Sequence, residues 1–331
     1  MLALGLAVSL TATGCQATGD GSGTAQGTKL KFQLNSPVGG YNSGFFLAKE
    51  LGYYADAGLD VTIEEGNGSI NTSKLVASGD AVIAFSDPIP TMGLIQQGAP
   101  ILVAATVFQT SPNGVVALEK SGIKQISDLN GKSVAVPNGL MQEQVWPLLI
   151  KANNLDAKSI NVVKMAANGM VPQLISGKVD AILGSADNYA IQVEQQGEKA
   201  VTLPFSDNGI ATIAHSIIVN TDYAKKNPEV VRKFIGASMR GWAAAATDHD
   251  AAVDAVAKSF PANAKRDRNL LELAADLPLL CANGAKSAGK AEPHAWEATW
   301  RILVDIEALP SSSKPESFYT YDYLPTDLKA C

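Results

Sequence analysis

From residue 29 onward the chain alternates short apolar strand segments with helical ones, and this order constrains the fold more than any other feature. Leu30-Lys31-Phe32-Gln33-Leu34 alternates apolar and polar side chains as a strand does, and residues 35–40 follow as a loop. Residues 43–51 have helical spacing and stop at Gly52, after which residues 59–63 form a second strand. Gly66-Asn67-Gly68 makes a second loop, with Ser69 placed to cap a helix running to Ala77. Residues 81–85 supply a third strand, Asp87-Pro88 a cap followed by proline at the first helical position, and residues 101–107 a fourth strand. Parallel neighbours need a crossover, so this order predicts a mostly parallel sheet covered by helices.

A second unit repeats the scheme. Its strands are expected at residues 114–118, 133–136, 161–165 and 180–183, and its helices at 141–153 and 171–176. One more strand follows at 215–220, and then the pattern turns wholly helical: from Asn227-Pro228-Glu229 through Trp242, then 250–259, 269–279 and 293–308. Such a tail has to bury its apolar faces on something already formed, and the first sheet is the expected platform. At 331 residues the chain exceeds one small core. Its 46% apolar and 18% charged residues fit a folded chain, and a net charge of −6 without a basic block argues against a nucleic-acid surface.

Residues 2–10 form a short apolar run ending in Ala12-Thr13-Gly14-Cys15, which reads as a secretory signal closed by a lipobox whose Cys15 carries the lipid. The run is too short to span a bilayer, and no Lys or Arg precedes Cys15, which points to a start further upstream. Residues 16–28, rich in Gly, Thr and Ala, read as a flexible tether. Export implies an oxidising compartment, so Cys281 and Cys331 either pair or stand as two buried or reactive thiols. The expected location is the periplasm or the outer face of the cytoplasmic membrane. No spacing of Cys or His suggests a metal site.

Five segments in order carry a family resemblance: GFFLAKELGYYADAGLDV (44–61), LVASGDA (75–81), ISDLNGK (126–132), LISGKVDA (174–181) and NPEVVRKF (227–234). Together, over about residues 31–250, they resemble the type II solute-binding family of ABC importers for thiamine pyrimidines, sulfonates, taurine and nitrate. The resemblance implies a type II periplasmic-binding-protein fold: two doubly wound α/β lobes joined by two hinge crossings, with ligand held between them. Lobe 1 is then expected over 29–108 and 217–331, with the helical tail packed on it, and lobe 2 over 109–216. The crossings fall near Phe108-Gln109-Thr110 and His215-Ser216. Implied partners are a permease, an ATPase, a membrane reached through the lipid and a small-molecule ligand, with the binding protein itself a monomer. No cofactor is implied.

Ligands of open α/β sheets sit outside the carboxyl ends of the strands, which selects the loops at 35–42, 66–69, 86–87, 108–113, 137–142, 166–169 and 184–188. From these come the candidate contacts: Asn35, Ser36, Tyr41 and Asn42; Gly68 and Ser69; Ser86 and Asp87; Phe108 and Gln109; Asn138, Gly139 and Gln142; Ser185, Asp187 and Asn188. Tyr41 and Asn42 are the favoured contacts. Asp87 and Asp187 also have helix caps open to them, Asn138-Gly139 a plain turn, and His215 a structural place near the crossing. These loops hold no Lys or Arg, the residues that grip sulfonate or carboxylate. Amides, acids and aromatic faces instead suit a neutral or weakly cationic polar heterocycle such as an aminopyrimidine. Helix N-termini keep small organic anions open as ligands.

Within the same resemblance, yeast-type pyrimidine synthases share the fold and use a histidine with a cysteine-rich iron site. No cysteine lies between Cys15 and Cys281, and no GxSxG, HExxH or P-loop motif occurs, so the reading is of a binder and not an enzyme. A ligand-sensing adaptor for a membrane receptor is the other alternative.

Overall fold

The computed structural model describes residues 27–331 apart from Gly139 and Ala330. The expected lipobox at Cys15 and the expected tether as far as residue 26 lie outside the described residues.

The first sheet contains β1 (Thr28–Gln33), β2 (Leu59–Glu64), β3 (Ile83–Ser86) and β4 (Ile101–Thr106). The second contains β5 (Asn113–Leu118), β6 (Ser133–Pro137), β7 (Asn161–Met165), β8 (Ala181–Ser185) and β9 (Ala200–Pro204). Then β10 (Ser216–Asn220) returns to the first sheet, giving the orders β2-β1-β3-β10-β4 and β7-β6-β8-β5-β9. β1 lies parallel to β2 and β3, whereas β10 runs antiparallel between β3 and β4. In the second sheet β6 is parallel to β7 and β8, and β5 is antiparallel to β8 and β9. The central strands β3, β5 and β10 are buried along their whole length, which explains their unbroken apolar runs. β9 was not anticipated from the sequence; it ends in Pro204 and occupies an edge, where a missing N–H is tolerated.

Helices α1 (Ser43–Glu50), α2 (Tyr53–Asp56), α3 (Ser69–Ser78) and α4 (Pro88–Gln96) connect the first four strands. Helices α5 (Met141–Ala152), α6 (Met170–Ile175) and α7 (Ala186–Glu194) belong to the second unit. The C-terminal region supplies α8 (Thr221–Lys226), α9 (Pro228–Ala245), α10 (His249–Ser259), α11 (Arg266–Asp276) and α12 (Pro293–Asp305). The fold is thus α/β with a helical C-terminal region, as expected, but both sheets are mixed rather than mostly parallel, because β10 in the first and β5 in the second run against both their neighbours. α9 packs on α1 through glycine: a Cβ on Gly44 would lie 2.2 Å from the Trp242 ring, and one on Gly241 2.2 Å from the Gly44 carbonyl. That close approach sets Trp242 edge-on to Phe45 and Phe108 at 5.5 and 5.3 Å.

The chain passes between the sheets twice, at residues 107–112 and 205–215, and the two runs bond to each other. Phe108 N donates to the His215 carbonyl at 3.0 Å, Ala214 N to the Phe108 carbonyl at 3.0 Å, and Ser111 N to the Thr212 carbonyl at 3.0 Å. The tail is not confined to the first sheet's unit. Phe318 and Thr320 bond to Val103 of β4, but α11 lies against α7 of the second unit, and Ile213 N of the crossing donates to Thr299 Oγ1 of α12. Cys281 and Cys331 are bonded, with Cα atoms 5.6 Å apart, which ties Cys331 to the 3-10 turn Leu277–Cys281 that follows α11. Trp296 of α12 is core: it stacks on Tyr319 and donates to Tyr321 Oη at 2.8 Å.

Candidate ligand-binding cleft

The carboxyl ends of both sheets face a cavity of about 600 Å³. The first unit contributes a hydrogen-bonded rim. Asn35 Nδ2 donates to Ser69 Oγ at 3.2 Å, Ser36 Oγ lies 3.0 Å from Tyr41 Oη, and Tyr41 Oη donates to the Pro37 carbonyl. Ser69 was expected to cap α3. Instead Gly68, at φ +123°, takes the cap position, where a side chain would be strained, and Ser69 becomes the first helical residue. Its hydroxyl is thereby free to accept Asp87 N at 3.0 Å and so joins two loops of the wall. Asp87 does cap α4, accepting Ile89 N at 2.9 Å ahead of Pro88, and it also lines the cavity. Burial pushes its carboxyl up to about 6, partly opposed by the Ile89 N–H.

The second unit supplies Gln142, which donates to Asn113 Oδ1 at 2.5 Å, and the start of α7. There Asp187 Oδ1 accepts from Ser185 Oγ at 2.5 Å and from Asn188 N at 2.7 Å. Phe108 and His215, from the paired crossings, form the floor. Burial lowers the His215 imidazole to about 4, so the ring is neutral at physiological pH, and its Nδ1 and Gln142 Oε1 are shielded from solvent without partners.

Of the candidates from the sequence, Asn35, Ser36, Tyr41, Gly68, Ser69, Asp87, Phe108, Gln142, Ser185, Asp187 and Asn188 line this cavity. Four others do not. Asn42 turns into the interior, where its Oδ1 accepts Gly39 N at 3.2 Å. Ser86 is buried beneath the wall, 2.9 Å from Ser73 Oγ. Gln109 donates to the Thr106 carbonyl at 2.8 Å and is buried, and Asn138 is exposed away from the wall. Gly139 lies outside the described residues.

The tail contributes two wall residues that the loop rule missed, Glu272 and Asp276 of α11, only 3% and 4% exposed. Glu272 joins the units: it accepts Gly40 N at 2.8 Å, Asn188 Nδ2 at 2.7 Å and Arg268 Nε at 2.7 Å. Gly40 is needed there, because a Cβ would lie 2.0 Å from the Asn269 carbonyl. Arg268 also donates to Asn188 Oδ1 at 3.3 Å, so a cation stands at the cleft's edge, already matched by Glu272. Asp276 lines the cavity with Asp187; burial first, then Asp187, then the Glu272 charge, hold its carboxyl well above the usual carboxylate range. Among the described lining residues there are four acids and no Lys or Arg.

The NMT1/THI5-like family model matches residues 40–252. The riboflavin-binding protein RibY of Chloroflexus aurantiacus is 26% identical over 66% of this chain and 62% of its own length. The 4-amino-5-hydroxymethyl-2-methylpyrimidine phosphate synthase THI13 of Saccharomyces cerevisiae is 28% identical over 63% of this chain and 64% of its own. The chain thus spans less than two thirds of either relative. Among solved structures, the periplasmic aliphatic sulphonate binding protein SsuA of Escherichia coli superposes with a TM-score of 0.69 at 16% identity, covering 88% of this chain and 97% of that one. By the family match and the shared type II periplasmic-binding-protein architecture, this chain belongs to the NMT1/THI5-like family.

Proposed function

We propose that this chain is the extracytoplasmic solute-binding component of an ABC importer, held at the membrane through a lipid on Cys15. It captures a small polar heteroaromatic molecule bearing amino groups, pyrimidine-like in size, and delivers it to a permease driven by an ATPase. The observation that carries this reading is the cleft itself: about 600 Å³ between two units joined by a pair of crossings, walled by amides, acids and aromatic faces. Two lobes on such crossings close by rotation about them, as hinged binding proteins do. The neighbouring names support the ligand class, one relative being a riboflavin-binding protein and another a synthase of an aminopyrimidine phosphate. The likeness to the synthase extends to the fold and not to a cysteine cluster, since the chain has only Cys15, Cys281 and Cys331.

A thermal-shift screen of aminopyrimidines, riboflavin, taurine, alkanesulfonates and nitrate tests the reading. Ligand at a hundred times its dissociation constant stabilises by about 2.7 kcal/mol, well within reach of a melting curve. An aminopyrimidine or flavin is expected to raise the melting temperature. A shift with sulfonate or nitrate alone refutes the heteroaromatic ligand.

A further inference from the structure

Two carboxylates meet across the cleft, and they come from opposite lobes. Asp276 stands at the end of α11 in the C-terminal region, and Asp187 in the first turn of α7. Both carboxylates line the cavity where α11 packs against α7, and burial beside Asp187 holds the Asp276 carboxyl well above the usual carboxylate range, so Asp276 keeps its proton. The other acids of the cavity have N–H donors: Glu272 has three, and Asp87 and Asp187 each have a backbone amide. Among the described residues, Asp276 has neither a cation nor an N–H partner for its side chain. The charged and titratable groups facing it are Asp187 on α7, Glu272 on its own helix and Tyr41 from the turn before α1. Arg268 is engaged with Glu272 and Asn188.

Independently, Gln142 Oε1 and His215 Nδ1 line the same cavity, shielded and without partners. An amide oxygen only accepts, so Gln142 asks for a ligand that donates hydrogen bonds.

We infer that Asp187 and Asp276 are the receptor for a protonated nitrogen of the ligand, an ammonium, amidinium or guanidinium, gripped by one carboxylate from each lobe. This rests on the cleft being the ligand site. The cationic nitrogen takes the place of the Asp276 proton, which leaves to solvent, and the ligand keeps its own. Without either cation or proton the pair repels and the lobes part, so the group that is recognised is also the group that closes the cleft.

Isothermal titration near pH 5.5, in two buffers of different ionisation enthalpy, tests this with three probes. They are 4-amino-5-(aminomethyl)pyrimidine, its uncharged 5-(hydroxymethyl) analogue, and agmatine, a cation without a ring. The aminomethyl compound is expected to bind about tenfold tighter or more than the hydroxymethyl one, as a charge-assisted bond implies, and to release a proton. In Asp276→Asn, and equally in Asp187→Asn on the other lobe, both the preference and the proton release are lost. Equal affinity of the two pyrimidines for the wild-type chain, or a preference that survives in both variants, overturns the inference and leaves the heteroaromatic reading intact. Binding of agmatine alone, with proton release, overturns the heteroaromatic reading and supports the inference. Failure of all three probes overturns both.

Discussion

Replacing His215 by Phe isolates the energetic consequence of burying a histidine at the crossing. The ring sits among aromatics, its centroid 5.2 Å from Phe85 and 5.9 Å from Phe108, so Phe fits the same packing and removes an unpartnered nitrogen. Burial sets the imidazole at about 4 in the folded protein, against 6.5 for the free group. The folded value is depressed, so the unfolded chain takes up the proton first as pH falls through 6.5. The stability of the neutral ring is fully present above that pH and is lost progressively down to about 4. A shift of this size is worth about 3 kcal/mol at 1.36 kcal/mol per unit. Urea unfolding of wild type and His215→Phe at about pH 7.5 and about pH 4 reads the difference directly. The variant is expected to gain about 3 kcal/mol on the wild type between the two conditions, at unchanged slope in urea. A difference that does not vary with pH refutes the burial argument for this ring.

Asp87→Asn titrates with the opposite sign. The Asp87 carboxyl is raised from 3.8 to about 6 on folding, so its contribution is fully present below 3.8 and is lost as pH rises through 6. Asn keeps the cap on α4, and relative to wild type the variant should gain about 3 kcal/mol between pH 3.5 and pH 7.5 in the same urea measurement. A flat difference contradicts it. Opening the Cys281–Cys331 bond with both cysteines changed to Ser frees a loop of 50 residues. The chain-entropy estimate is about 4 kcal/mol, read as a fall in melting temperature, and an unchanged melting curve contradicts it.

The sheets were legible in the sequence because strands buried on both faces write themselves as apolar runs between glycine and cap signals, as at Asp87-Pro88. β9 escaped because Ala200 to Pro204 is an edge segment whose exposed side chains blur the pattern. In the cleft, the rule about strand ends located both walls, yet it failed between neighbours. The residues Gly40–Asn42 form a single turn of three-residue period, so Tyr41 and Asn42 point about 120° apart, one to the cavity and one to the interior. Glu272 and Asp276 were hidden for a different reason. Leu271 is 48% exposed while Glu272 beside it is buried, so α11 inverts the hydrophobic pattern by which a buried face is recognised. Two acids one turn apart flanking buried Leu273 were the available signal, and reading them required knowing that α11 reaches α7.

That inversion has a chemical consequence. Asn42 Nδ2, Trp242 Nε1, Ser43 Oγ and Gln109 Oε1 lack partners away from the cavity, whereas in the cleft the unmatched atoms are Gln142 Oε1 and His215 Nδ1. Four acids line the same cavity, and Arg268 at its edge is already bound by Glu272. A buried acceptor without a partner costs about 1–3 kcal/mol, so a ligand that donates relieves a cost the cleft otherwise carries. A sulfonate or nitrate brings only acceptors, and meets carboxylates without a cation to offset them. Shared architecture with a sulfonate-binding protein therefore says nothing against an amino-bearing ligand: the fold is common ground, and the sign of the charge in the cleft bears on what can bind there.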